Sequence, residues 1–274
     1  MKSFQQKVAV ITGAGSGIGR ALAIQLAKEG ARLAISDVNA AGLKETANLC
    51  QNLGAAVLST STNVAKLDEM QALVQSVLSE FGQVDMVFNN AGIALGKKPL
   101  TDLSYEEWDK IMGVNLWGVI YGSKEFLPYL KQQPEAVIVN ISSVFGLAGI
   151  AEQVPYCTTK FAVRGFTEAL RMELINSNVE VYCVHPGGIN TNIANHAAEE
   201  AADDPKKKQE VDNFKKMLIH SPEKAAKTIL DAVKSKNQKI LIGQEAYLFD
   251  FATRLLPVNY SKVMDFGMRQ LLKI

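Results

Sequence analysis

Lys7-Val8-Ala9-Val10-Ile11-Thr12-Gly13-Ala14-Gly15-Ser16-Gly17-Ile18-Gly19 is the stretch that decides the fold. The run 7–11 is rich in β-branched residues, which pack well on a pleated surface, and predicts a short strand. Four glycines follow in seven residues. Apolar residues then recur at helical spacing, Ala21, Leu22, Ile24, Leu26 and Ala27, and stop near Gly30. Strand, glycine-rich turn and helix are the context in which a dinucleotide sits on the positive end of a helix. Gly13, Ser16, Gly17, Ile18 and Gly19 are the candidate cofactor contacts. The next predicted strand, 32–36, runs into Asp37, 18 residues past Gly19. That is close to the roughly 20 expected for a carboxylate that holds the adenosine ribose. A plain cap on the following helix is the other reading of Asp37.

The alternation continues outward. Helices are predicted over 40–53, 66–81, 104–130 (broken near Pro128), 155–176 and 222–234. Strands are predicted over 56–59, 84–88, 136–141, 179–184 and 239–242. Strands and helices in such regular turn imply right-handed crossovers and a parallel sheet covered on both faces. The fold expected is a Rossmann-type, doubly wound α/β sheet of about seven strands. No linker or repeat divides it, so residues 1–274 read as one domain.

The totals fit that reading and exclude others. Hydrophobic residues make up 47% of the 274 and charged residues 21%, and 29 Lys and Arg nearly balance 28 Asp and Glu. Nothing recommends nucleic acid or an acidic membrane. Cys50, Cys157 and Cys183 lie far apart without metal-ligand spacing. They argue for a reducing, cytoplasmic setting and for no metal. No uncharged apolar run reaches the ~18 residues of a membrane span.

Two segments depart from the pattern. Residues 191–216 carry charge clusters around a few apolar positions and sit where a substrate lid would hang. Residues 245–274 form a markedly apolar extension, expected to pack into the body of the protein.

Ligands of an open parallel sheet bind outside the carboxyl ends of its strands. The segments 12–19, Asp37, Asn63, 89–92, Ser142-Ser143 and 186–191 all fall at such ends. The helix that follows Ser143 opens with Pro155-Tyr156 and carries Lys160 one turn on. Tyr and Lys four apart lie on one helix face. A phenol titrates near 10 unperturbed, and a neighbouring ammonium would draw it toward neutrality, which makes the pair a proton-transfer device.

Taken in order, these motifs resemble the short-chain dehydrogenase/reductase family over about residues 5–245. They are Thr12-Gly13-x-x-x-Gly17-x-Gly19, Asn89-Asn90-Ala91-Gly92, Asn115, Ser143, Tyr156-x-x-x-Lys160 and Pro186-Gly187-x-x-x-Thr191. The separation of 13 residues between Ser143 and Tyr156 is the family's, and it selects Ser143 over Ser142. Asn63-Val64 departs from the Asp-Val of many members, yet an asparagine amide can still meet adenine. The resemblance implies that Tyr156 exchanges the proton and that Lys160 tunes it and holds the nicotinamide ribose. Ser143 would bind the substrate oxygen, and Asn115 a water leading from Lys160. Asn90, Ala91 and Gly92 would line the cofactor. Pro186, Gly187, Ile189 and Thr191 would hold its nicotinamide end.

On this reading the chain interconverts a secondary alcohol and a ketone with NAD(H), as a homodimer or homotetramer. The substrate positions Ser143, Phe145, Ile150, Gln153, Tyr156 and Gly188 include no Lys or Arg, which points to a neutral, fairly hydrophobic substrate. One rival is an NADPH-dependent carbonyl reductase; Asp37, with no cation at Ser16 or Val38, speaks against it. The other is a nucleotide-binding regulator without turnover, which would be expected to have lost Ser143, Tyr156 or Lys160. His185 reads as a packed residue, and Cys157, turned about 100° from Tyr156, as one without a role.

Overall fold

Seven parallel strands form one sheet in the order β3-β2-β1-β4-β5-β6-β7. In this computed structural model, which describes residues 1–190 and 218–262, the strands are β1 Val8–Thr12, β2 Arg32–Asp37, β3 Val57–Ser61, β4 Met86–Asn89, β5 Ala136–Ile141, β6 Val179–Pro186 and β7 Lys239–Ile242. The helices are α1 Gly17–Lys28, α2 Ala40–Gln51, α3 Leu67–Phe81, α4 Tyr105–Met112, α5 Gly118–Leu130, α6 Val154–Glu173, α7 Pro222–Ser235 and α8 Gln244–Leu255. The doubly wound sheet expected from the sequence is the one found.

Strand alternation sends neighbouring residues to opposite faces, and the core splits accordingly. Ala9, Ile11, Leu33 and Ile35 pack with Leu22, Leu26, Leu43, Ile229 and Leu230 of α1, α2 and α7. Val8, Val10 and Ala34 pack with Met70, Leu73, Val77, Phe126 and Leu130 of α3 and α5. Each large side chain buried this way contributes about 1.5–3 kcal/mol. A buried carboxylate fixes the first strand from below: Asp85 accepts from the Val8 N–H at 2.9 Å and from Lys7 Nζ at 2.9 Å.

Three local expectations need correction. The helix predicted over 104–130 is not broken at Pro128. That proline lies near the end of α5 on an exposed position, where the carbonyl it leaves unpaired can turn to water. The irregularity falls instead at Gly113–Trp117, a wide turn of π type between α4 and α5. Second, β6 runs on to Pro186, which pairs in register with Ile242.

Third, the apolar C-terminal extension is not packed away over its described part. Tyr247, Leu248, Phe251 and Leu255 are 62–66% exposed, and Ala246 alone of α8 is buried. Asp250 ties α8 to the sheet through Lys239 and holds Arg254 as well, so the helix docks by charge and turns its apolar face outward. Among the described residues no helix is long and apolar enough to cross a membrane. The segment read as a lid, 191–216, and residues 263–274 lie outside the described residues.

Candidate active site

The carboxyl ends of β1, β4, β5 and β6 converge, and the turn after β1 forms the floor. Helix α1 starts at Gly17 without a side-chain cap from Ser16 and with no acidic residue in its first turn. Its first N–H groups therefore keep their partial positive charge for an anion. Glycine is required at position 19, where a Cβ would stand 2.2 Å from the Gly13 carbonyl oxygen. Ile18 belongs to the core beneath the turn.

Asn90 staples β4 to this turn. Its amide donates to the carbonyls of Thr12 (2.9 Å) and Gly13 (3.1 Å), and Thr12 Oγ1 accepts from the N–H groups of Asn90 and Ala91 at 3.1 Å. Asp37 closes the other side. One carboxylate oxygen accepts from the Gly15 N–H at 2.8 Å and the other from the Asn39 N–H at 2.8 Å. Asn39, not Asp37, caps α2 through Gly42. Arg20 is a cation beside this turn, and it is committed to Glu45 at 2.8 Å and to the carbonyls of Gly15 and Gly42.

The Asn63 carboxamide oxygen accepts from the Ala65 N–H at 3.0 Å. Its amide nitrogen has no partner among the described residues and is free to donate. Val64 turns its side chain into the core, packed against Gly118.

Ser142 and Ser143 separate by task. Ser142 is buried and donates to the Lys160 carbonyl at 2.8 Å, which anchors α6. Ser143 accepts from the Phe145 N–H at 3.1 Å, and its hydroxyl stands close enough to the Tyr156 phenol to favour the ionised form. The ring of Phe145 meets that of Tyr156 edge-on, with centroids 5.9 Å apart. Lys160 is buried, donates to the Ile141 carbonyl at 3.1 Å, and stands 5.5 Å from the centre of the Tyr156 ring.

The electrostatics correct the sequence expectation for Tyr156. Burial pushes its phenol up to about 12, although the Ser143 hydroxyl pulls the other way. Burial also holds the Lys160 ammonium down to about 8. Loss of water disfavours both charged forms, the phenolate and the ammonium alike.

Asn115 occupies the wide turn between α4 and α5, fully buried. Its side chain grips the Ile93 peptide, accepting from its N–H at 2.8 Å and donating to its carbonyl at 2.9 Å. Gly92 packs between this carboxamide and the Lys160 ammonium. On the far wall the Pro186 carbonyl end of β6 leads into Gly187, Gly188 and Ile189. The Gly188 N–H is taken by Glu245 and its carbonyl by the His220 N–H. Ile189 is buried and Thr191 lies outside the described residues. His185 is buried behind Ser143, with Nδ1 3.0 Å from the Ser143 carbonyl and Nε2 without a partner among the described residues.

The substrate candidates divide. Phe145 joins Ser143 and Tyr156, and Gln153 is the residue before α6. Ile150 lines an open groove of about 480 Å³ with Val154, Cys157, Thr158 and Phe161, a groove that Tyr156 does not line. Sequence reasoning missed Thr12 as an acceptor, Asp85 under β1, and the pair His220 and Glu245. The glycines at 187 and 243, which make room for that pair, were the available signal.

Comparison with known proteins agrees with this geometry. The model of the short chain dehydrogenase family matches residues 7–202. SadH of Mycobacterium tuberculosis, which bears the name of an oxidoreductase, is 43% identical over 270 residues, covering 98% of this chain and 97% of its own. Cyclohexanol dehydrogenase of an Acinetobacter strain is 36% identical over 188 residues, covering 69% of this chain and 75% of its own. Among solved structures, a short-chain dehydrogenase/reductase of Burkholderia phymatum in complex with NAD superposes with a TM-score of 0.82 at 30% identity, over 100% of this chain and 97% of that one. Matched through its sequence, its sheet order and a relative aligned nearly end to end, the chain belongs to the short-chain dehydrogenase family of oxidoreductases.

Proposed function

We propose that the protein interconverts a secondary alcohol and a ketone, using NAD(H). The observation that carries this reading is the meeting of Ser143, Tyr156 and Lys160 beside the uncapped start of α1. The residues fit a dinucleotide: free N–H groups at α1 suit a pyrophosphate, Asp37 suits ribose hydroxyls, and the open Asn63 amide suits adenine. The bound nicotinamide would accept or supply the hydride.

The chain's own residues do the rest. Tyr156, held protonated, gives its proton to the substrate oxygen in the reductive direction. Ser143 steadies charge that grows on that oxygen. Lys160 stands beside the ring of Tyr156 and is itself tied to the Ile141 carbonyl, while Asn115 fixes the Gly92–Ile93 backbone beside it. Phe145 supplies an apolar wall, which supports a neutral, fairly hydrophobic substrate. Relatives named for cyclohexanol and for levodione favour a cyclic one. Buried free cysteines at 50, 157 and 183 suit a reducing, cytoplasmic setting.

The test is a panel of cyclic and linear secondary alcohols with NAD at mildly alkaline pH, read as NADH absorbance. Turnover on neutral alcohols is expected. Binding of NADH with no turnover on any alcohol or ketone would favour the non-catalytic reading instead.

A further inference from the structure

The loop after β6 is held from outside the family's matched region. Glu245, the second residue of α8, places one carboxylate oxygen 2.8 Å from the Gly188 N–H, which donates to it. His220 backs the same carboxylate, with Nε2 3.1 Å from Oε1 and 3.2 Å from Oε2. The His220 backbone completes the hold: its N–H donates to the Gly188 carbonyl at 3.1 Å, and its carbonyl accepts from the Asn190 N–H at 2.9 Å.

Two glycines make room for this pair. A Cβ on Gly187 would stand 2.0 Å from Glu245 Oε1. A Cβ on Gly243, whose φ is +93°, would stand 2.6 Å from both Glu245 Oε1 and His220 Nε2. Side chains at either position would expel the carboxylate. The absence of side chains at Gly187 and Gly243 thus leaves the space that the Glu245 carboxylate occupies. The family match ends at residue 202, before both His220 and Glu245.

We infer that Glu245, backed by His220, is a positioning residue that sets the loop Gly187–Asn190 against the nicotinamide end of the cofactor. This rests on the cofactor reading above. A backbone N–H has one direction in which to donate, so an acceptor fixed on the rigid start of α8 fixes the plane of the 187–188 peptide. The loop's neighbours then meet their ligand in one orientation without ordering it first.

The experiment compares NADH with ADP-ribose, which lacks the nicotinamide, on the full-length wild type and on Glu245→Ala, Glu245→Gln and Glu245→Asp. Affinities are read by fluorescence titration for NADH and by calorimetry for ADP-ribose. Glu245→Ala is expected to weaken NADH about tenfold, the worth of one such hydrogen bond, with ADP-ribose within about twofold of wild type. Glu245→Gln keeps an acceptor at the same reach and is expected to restore NADH binding. Glu245→Asp falls short and is not.

Equal weakening of both ligands by Glu245→Ala would mean a general loosening of the fold and overturn the inference, as would unchanged NADH binding. If Glu245→Ala does not fold, the contrast between Gln and Asp decides: equal NADH affinity in the two overturns it. Wild type that binds NADH no more tightly than ADP-ribose would also overturn it, because the loop would then add nothing at the nicotinamide end, whereas wild type that binds neither would sink the cofactor reading on which it rests.

Discussion

The Lys160 ammonium stands 5.5 Å from the centre of the Tyr156 ring while donating to the Ile141 carbonyl at 3.1 Å. The lysine is therefore tied to the sheet and not to the phenol. Burial moves the two groups in opposite directions on the pH scale, phenol up and ammonium down, and so favours the neutral form of each. A proton donor kept protonated suits reduction of a ketone. Oxidation of an alcohol requires the phenol to give up that proton first.

Replacing Tyr156 by Phe keeps the ring against Phe145 and removes the proton. Turnover is expected to fall by roughly 10²–10⁴-fold. NADH affinity, read by fluorescence titration, stays within about twofold. A variant that keeps a large share of wild-type turnover would show that the proton travels another way.

Lys160→Met trades a buried cation for an apolar chain of similar length. The folded value of about 8 lies below the ordinary 10.5, so at neutral pH the charge opposes folding. Stability linked to this lysine is complete above 10.5 and lost as pH falls through 8. The variant should be inactive yet more stable at pH 7 by about 2 kcal/mol, part of the gain being offset by the stranded Ile141 carbonyl. Urea midpoints at pH 7 and pH 10 check this: the advantage shrinks at the higher pH, and a destabilised variant at pH 7 contradicts the argument.

His185 gives the acid counterpart. Burial holds its imidazole down to about 4, so it folds neutral. Its contribution is whole above the ordinary 6.5 and lost as pH falls through 4, an effect of about 3 kcal/mol. His185→Gln, which can still donate toward the Ser143 carbonyl, should lose less stability than wild type between pH 7 and pH 4. Parallel stability curves would show that the acid sensitivity lies elsewhere.

Asp37 stands on the proposed ribose side with both carboxylate oxygens engaged by backbone N–H groups. A 2′-phosphate placed there would meet a fixed negative charge, and Arg20 is already paired with Glu45. We expect NAD to be favoured over NADP by about 2 kcal/mol in kcat/KM, and Asp37→Ala to narrow the gap. Comparable values for the two cofactors in wild type would refute the assignment.

The end of the wide turn before α5 leaves Trp117 exposed, and the outward face of α6 leaves Val154, Phe161 and Met172 exposed. Such a patch suits an isologous contact about a two-fold axis. Light scattering at micromolar concentration is expected to give a dimer or tetramer. A monomer would end that proposal.

Most of the sheet was legible in the sequence because each strand repeats a local rule: a β-branched run, then a polar or glycine-rich turn. Ser143 was separable from Ser142 by its distance from Tyr156, and the hydrogen bond from Ser142 to Lys160 supplies the physical reason. What escaped depended on tertiary surroundings. The raised phenol of Tyr156 follows from burial, which spacing along a helix does not report. The wide turn at Gly113–Trp117 leaves the helical spacing almost intact, whereas Pro128 looks like a break and sits harmlessly near a helix end. The exposed face of α8 was misread because apolar content alone does not say which way a helix docks. Glu245 and Gly188 lie 57 residues apart with no motif between them.

The strand order has a consequence for how the chain is made. β1, the first strand to be synthesised, is paired on one side by β2 and on the other by β4, which begins only at Met86. At a synthesis rate of about 5–20 residues per second, several seconds separate the two partners. During that interval β1 presents an open, apolar edge, and Asp85, which will accept from Val8, has not yet emerged. The nascent chain thus carries this open edge until β4 is made, and slower translation of residues 40–85 would lengthen that exposure, whatever the finished enzyme's stability.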